Sequence, residues 1–272
     1  MLIDPFSRSL SIHGMFAPYG KKRAFSLESL FSSGEQGGCY DPSDLSTLFQ
    51  DSAGATPVTA TGQSVRLMRD KSGNSNHLTA PSDAARPVLR QDGNGKYYLD
   101  FDGVDDGMLS ANLFKLNAEW FCAVAAVIGD LTGTAALNQY FGQDSGDDTN
   151  RSGIYMRASG AGGASQIGIK FRINTGTNFS TYVSSAFTVG VPFVALARHE
   201  STTLYINVGA SSNSTAADYG ITESTGNIAI MLTGSDARFY FYGGVFVDQA
   251  STSSLRSQTE IYLAAKSGVT LS

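Results

Sequence analysis

The chain has 272 residues, of which 42% are hydrophobic and only 16% charged, with 30 glycines and a formal net charge of −5. The charged share lies well below the usual quarter and is replaced by small polar residues and glycine, which excludes a helical bundle or coiled coil. The acidic balance excludes the basic face that nucleic acid requires, and 16 Phe, 12 Tyr and one Trp exclude a disordered chain, because so many rings need a core.

Residues 1–37 read as an arm. Phe6, Ile12, Met15 and Phe16 follow neither a strand nor a helix period, and Pro5, Gly14, Pro18 and Gly20 interrupt any element. Apolar side chains on a free arm are a liability, so the arm is expected to dock on its own body or on a second copy of the chain. Lys21, Lys22 and Arg23 add a basic run that reads either as a contact for an acidic partner or as solvated charge. A short helix is expected over Ser26–Phe31, ahead of the Gly34–Gly38 hinge. Asp41, Pro42 and Asp44 then predict a helix running to about Phe49, with Asp41 as its cap.

From Ser64 the apolar period becomes two and turn residues become dense. Strands are expected at 64–69, 96–102, 119–128, 138–142, 152–158, 166–173, 180–187, 191–199, 202–208, 227–232 and 238–247. Strands this short, at this spacing, predict an all-β chain: a two-sheet antiparallel sandwich of jelly-roll type. Arg238-Phe239-Tyr240-Phe241-Tyr242 is aromatic on both faces, as a central strand would be. A closing helix is expected over Ser254–Lys266, stopped by Gly268. The organisation is thus an arm, 1–37, and one domain, 38–272.

Two cysteines, Cys39 and Cys122, are too few for an extracellular disulfide framework, and one bridge between them stays open. No run of 18 apolar residues predicts a membrane span, and Met1-Leu2-Ile3-Asp4-Pro5 does not open a secretory leader.

Asp70-Lys71-Ser72-Gly73-Asn74-Ser75-Asn76-His77, then Leu99-Asp100-Phe101-Asp102-Gly103-Val104-Asp105-Asp106, then Thr203-Leu204-Tyr205-Ile206-Asn207-Val208-Gly209 stand in the order and spacing of one family. Together they resemble concanavalin A-like, LamG-type jelly rolls. The stretch Gly34–Leu45 is similar to the start of LamG-type proteins of tailed bacteriophages and prophages. That resemblance implies a virion component: a structural or surface-contact module of a tail, fibre or capsid decoration, or a receptor-binding lectin for host polysaccharide. It implies other virion proteins and further copies of this chain as partners, with synthesis in the host cytoplasm, and no nucleic acid or membrane insertion.

The chemistry motifs are sparse. Glucanases of this fold carry E-x-D-x-x-E or E-x-D-x-E on one strand, and none of Glu28, Glu35, Glu119, Glu200, Glu223 and Glu260 stands in that spacing. His13, His77 and His199 form no zinc motif, and no nucleophile elbow or phosphate loop occurs. The expectation is no enzyme. Asp102, Asp105 and Asp106, with Asn74 and Asn76, offer hard oxygen ligands of the kind calcium takes, but the same residue types form turns on their own. Tyr97, Tyr98, Tyr140, Tyr155 and Tyr182 would stack on sugar rings if exposed.

Overall fold

The computed structural model describes residues 24–116, 119–131, 139–144, 151–158, 165–172, 178–184, 187–217, 225–232 and 237–271. The proposed arm residues Phe6, Ile12, Met15, Phe16, Lys21, Lys22 and Arg23 lie outside them, as do Asp147 and Asp148 of a Gly-rich loop. A 3-10 turn at Leu27–Phe31 leads into β1 (Gly37–Tyr40), β2 (Leu48–Phe49), β3 (Leu67–Met68), β4 (Leu78–Thr79), β5 (Val88–Gln91) and β6 (Tyr97–Phe101). There follow β7 (Met108–Ser110), β8 (Phe114–Lys115), β9 (Trp120–Leu131), β10 (Gln139–Asp144), β11 (Arg151–Ala158) and β12 (Ser165–Arg172). The last strands are β13 (Asn178–Ser184), β14 (Phe193–Glu200), β15 (Thr203–Val208), β16 (Ser211–Ala216), β17 (Thr225–Leu232) and β18 (Ala237–Val247), and α1 (Ser253–Ser267) closes the chain.

The strands form two antiparallel sheets. The back sheet runs β16-β15-β14-β9-β18-β6-β5, with β1 also on β18; the front sheet runs β13-β12-β11-β10-β17-β7-β4-β3-β2, with β8 on β17. The all-β sandwich expected from the sequence is what the chain forms.

Alternation builds the core between the sheets. Cys122, Val124, Ala126 and Ile128 of β9 face Phe141, Ile154, Met156, Ile167 and Ile230 of the front sheet, and all are fully buried. β18 is central, as its two-faced aromatic pattern predicts, lying between β9 and β6. A bulge between Phe241 and Gly243 changes its phase, so that Phe239, Phe241 and Phe246 point inward while Tyr242, Val245 and Val247 point outward.

The outward face of the back sheet is covered. α1 supplies Leu263 and Ala264, and the 3-10 turn supplies Leu27, Leu30 and Phe31, to a second cluster with Phe121, Ala123, Val194 and Val245. Thr252 caps α1, its hydroxyl accepting from the Leu255 N–H at 3.2 Å, and Gly268 ends it at φ +76°. No helix among the described residues is long and apolar enough to cross a membrane; α1 is 15 residues long.

Three local expectations need correction. The stretch Asp41–Phe49 is not a helix but a 3-10 turn at Leu45–Thr47 followed by β2. Asp41 does not cap it: its carboxylate accepts from the Ser43 N–H and hydroxyl and from Lys266 Nζ at 2.7 Å, so that tertiary pairing outweighs local propensity. Strand 64–69 shrinks to Leu67–Met68, and the polar stretch Ser211–Ala216 forms an edge strand that no apolar pattern announces. The two cysteines are free: Cys122 is in the inner core and Cys39 in the cluster on the other side of the same sheet, which prevents a bridge.

Candidate functional site

The front sheet keeps its outward face clear of α1, which packs on β9, β14 and β18 of the other layer. Register decides what that face carries. Met231, Tyr140, Tyr155, Gly168 and Tyr182 are direct neighbours in a row across β17, β10, β11, β12 and β13. Ile154 and Met156 flank Tyr155 and belong to the core, so Tyr155 projects to the other face; Val183 does the same for Tyr182. Both tyrosines are half-buried. Tyr182 lies over Gly168, where an added Cβ would stand 2.6 Å from its Cε1. Glycine there lets the ring lie against the sheet.

The adjoining row is small at its centre. Leu109, Ala229, Gly142 and Gly153 follow one another across β7, β17, β10 and β11, and the register continues to Lys170 on β12 and Ser180 on β13; Ala229, Gly142 and Gly153 are buried. Beyond it, Asn227, Asp144, Arg151, Arg172 and Asn178 hold successive positions in a polar row. The buried positions Ala229, Gly142 and Gly153, with the half-buried Tyr155 and Tyr182 in the row beside them, make a trough whose far side is, by register, a row of polar residue types. Such a trough presents flat apolar surface and hydrogen-bonding groups side by side, which is what a sugar ring, apolar on its faces and hydroxylated at its rim, requires. Of the remaining tyrosines proposed for stacking, Tyr97 packs against the core and Tyr98 stacks on Tyr240 and Tyr242, with centroids 4.8 and 5.2 Å away.

The acidic residues converge just before β7. Carboxylate oxygens of Asp102, Asp105 and Asp106 lie within 4.8 Å of one another. Asp106 is 4% exposed; its Oδ2 accepts from the Asp102 N–H at 2.8 Å, and Asp102 Oδ1 accepts from the Val104 N–H at 2.8 Å. Burial, with the charges of Asp102, Asp105 and Asp100 nearby, pushes the Asp106 carboxyl up to about 6. Asp106 stands two residues before Met108, which pairs with Ile230, so this cluster adjoins the Met231–Tyr140 end of the tyrosine row.

Asn74 and Asn76 serve another purpose. Both donate their amides to the Gly37 carbonyl, at 3.2 and 2.7 Å, and Asn74 also to that of Glu35. Asp70 sits at the centre of this turn, accepting from the N–H groups of Cys39, Ser72 and Asn76. The D-x-S-G-N-x-N-H stretch therefore clamps β1 onto the body. The trough itself was invisible to motif reading. Its signal is the phase of glycine and tyrosine along neighbouring strands, which becomes a site only once the register is known.

The fold is one that glycoside hydrolases and toxin binding domains share. Two arabinofuranosidase structures superpose on this chain: one complexed with arabinofuranosyl-alpha-1,2-xylobiose, with a TM-score of 0.61 and 15% identity, and one of family GH54 soaked with a cyclic sulfate inhibitor, with a TM-score of 0.61 and 16% identity. Each match covers 89% of this chain, which spans 65% and 66% of those chains' lengths. The binding domain of botulinum neurotoxin DC in complex with SialylT matches with a TM-score of 0.56 and 10% identity, covering 89% of this chain and 52% of that one. No protein-family model and no curated protein matches the sequence. These likenesses overturn the expectation of no enzyme. A missing glucanase spacing excludes only the glucanases' own arrangement, and this fold also carries arabinofuranosidases, to which that spacing was never applied.

Proposed function

We propose that this chain engages a polysaccharide along the trough of its front sheet. The observation that carries the reading is the row Tyr140–Tyr155–Gly168–Tyr182 beside the floor Ala229–Gly142–Gly153. Stacking on Tyr155 and Tyr182 would hold the ring faces, and the residue types of the polar register row suit the hydroxyls. The arabinofuranosidases and the toxin binding domain share this architecture and support a glycan as ligand. The resemblance of Gly34–Leu45 to phage proteins supports a virion as the setting and a host surface polysaccharide as the glycan, with the arm joining copies of the chain. A glycan array tests the central claim. Tyr155→Ala and Tyr182→Ala should each lose about tenfold in affinity for the glycan that wild type binds; unchanged binding by both would remove the trough as the site.

One observation favours a second reading, in which the bound glycoside is cleaved. The Asp106 carboxyl, buried and titrating at about 6, is part-protonated near neutral pH and suited to donate a proton to a leaving group, while Asp102 and Asp105 stand exposed within 4.8 Å. Release of reducing ends by wild type and not by Asp106→Asn would establish it; equal release by both proteins would dismiss Asp106.

A further inference from the structure

The small-residue row does not stop at β7. From Leu109 it continues to Thr79 on β4 and Leu67 on β3 and opens there into a cleft of about 460 Å³. Leu67, Arg69, Ser75, His77, Thr79 and Ala111 line it. The register that makes the trough thus leads directly to this cleft.

Its donors outnumber its acceptors. Arg69 lies over the Phe49 ring, with its guanidinium carbon 4.3 Å from the centroid, and Gly54 comes close to it, so that an added Cβ there would stand 2.9 Å from Nη2. The guanidinium is held in place before any ligand arrives. His77 accepts the Asp70 N–H at Nδ1, at 3.1 Å, which leaves Nε2 as the protonated nitrogen of the neutral ring. Ser75 and Thr79 add hydroxyls.

No carboxylate among the described residues pairs with Arg69. The other arginines whose side chains are described do have one: Arg66 and Arg86 pair with Asp83, Arg90 and Arg238 with Asp100, and Arg198 and Arg256 with Glu200. Asp51, next to the cleft in sequence, is turned away: it accepts the N–H groups of Ala55 and Thr56 at 3.1 and 2.6 Å.

We propose that this cleft is a subsite for an anionic sugar residue, one bearing a carboxylate or a sulfate, at the end of the glycan in the trough. The inference deepens the trough reading and rests on it. A fixed guanidinium offers two parallel N–H donors to a carboxylate or sulfate, and an imidazole N–H with neighbouring hydroxyls completes a set of donors that a neutral sugar would leave unmatched.

Affinity gel electrophoresis of the full chain tests it, with four polymers in the gel: polygalacturonate, its fully methyl-esterified form, dextran sulfate and dextran. Wild type should be retarded by polygalacturonate or dextran sulfate at least tenfold more strongly than by the matching neutral polymer, and the preferred member of the pair tells carboxylate from sulfate. Arg69→Gln, on an exposed side chain, should fold normally and lose that preference, and Arg69→Lys should restore part of it. Equal retardation by charged and neutral polymers, or an unchanged preference in Arg69→Gln, overturns the subsite while leaving the trough standing. Loss of preference in Arg69→Gln with Tyr155→Ala and Tyr182→Ala both still binding normally keeps Arg69 as the anion contact and removes the trough, and with it the placing of that contact at the end of a trough-bound glycan. Retardation by none of the four overturns the anionic subsite, and the glycan array then decides the trough.

Discussion

The ring of Tyr182 lies against Gly168, one strand away, in the space where any other residue would place its Cβ. The same Cβ would stand 2.6 Å from the Thr181 carbonyl oxygen, so the backbone as well as the ring opposes a larger residue. Gly168→Ala should therefore lift Tyr182 off the sheet. The expected result is a cost of about 1–3 kcal/mol in stability, read by denaturant unfolding. Glycan affinity should fall as much as in Tyr182→Ala, though the tyrosine is still present.

Asp106 should trade stability for charge. Its pKa in the folded protein lies above the ordinary carboxylate value of 3.8, at about 6, because burial disfavours the ion. The folded state therefore binds the proton more tightly than the unfolded chain between those values. Its contribution is most favourable below about pH 4 and declines as pH rises through 6. Asp106→Asn keeps an acceptor for the Asp102 N–H and removes the charge. It should raise stability at pH 7 by about 3 kcal/mol and leave stability at pH 4 nearly unchanged. A pH series of unfolding curves for the two proteins measures the difference.

Lys266 should matter through Asp41. Burial would raise the Asp41 carboxyl, but the hydrogen bonds from Lys266 and Ser43 more than offset it, and the group lies below its ordinary value. That contribution is present above about pH 4 and is lost as pH falls through the lowered value. Lys266→Met leaves a 5%-exposed carboxylate with Lys71 3.9 Å away as its remaining cation. The expected loss is about 2 kcal/mol at pH 7, less than the full cost of orphaning a buried charge because Lys71 remains. The wild-type and variant curves should converge in acid.

The cysteines should be silent in the folded state. Cys39 and Cys122 are at most 1% exposed, and burial pushes both thiols up. A thiol reagent should label neither in native protein and both in denaturant, and a reductant should leave Tm unchanged.

Much of the fold was legible because alternation speaks directly about burial. Phe239 and Phe241 against Tyr240 and Tyr242 announce a central strand, and the closing helix was legible from its Gly268 stop. The stripe read from Leu255, Ile261, Tyr262 and Ala265 was wrong in part: Ile261 and Ala265 are exposed, and Thr259, Leu263 and Ala264 face the sheet. Asp41 was misread because its local sequence fits a cap, whereas its partner Lys266 is 225 residues away. Asp70, Asn74 and Asn76 were seen as a group, but sequence could not say that their bonds go to β1. The tyrosine row was harder still: Tyr140, Tyr155 and Tyr182 align only through pairings set by loops, and no single stretch contains that information.

α1 and the Leu27–Phe31 turn give the sandwich a back and a front. The chain enters the described body at that back: β1 lies on β18, in the layer that the helix covers, and the Asp70–His77 clamp fastens it there. Ala24, where the described chain begins, therefore leads into the body through the covered layer, and the trough proposed for the glycan lies on the opposite sheet.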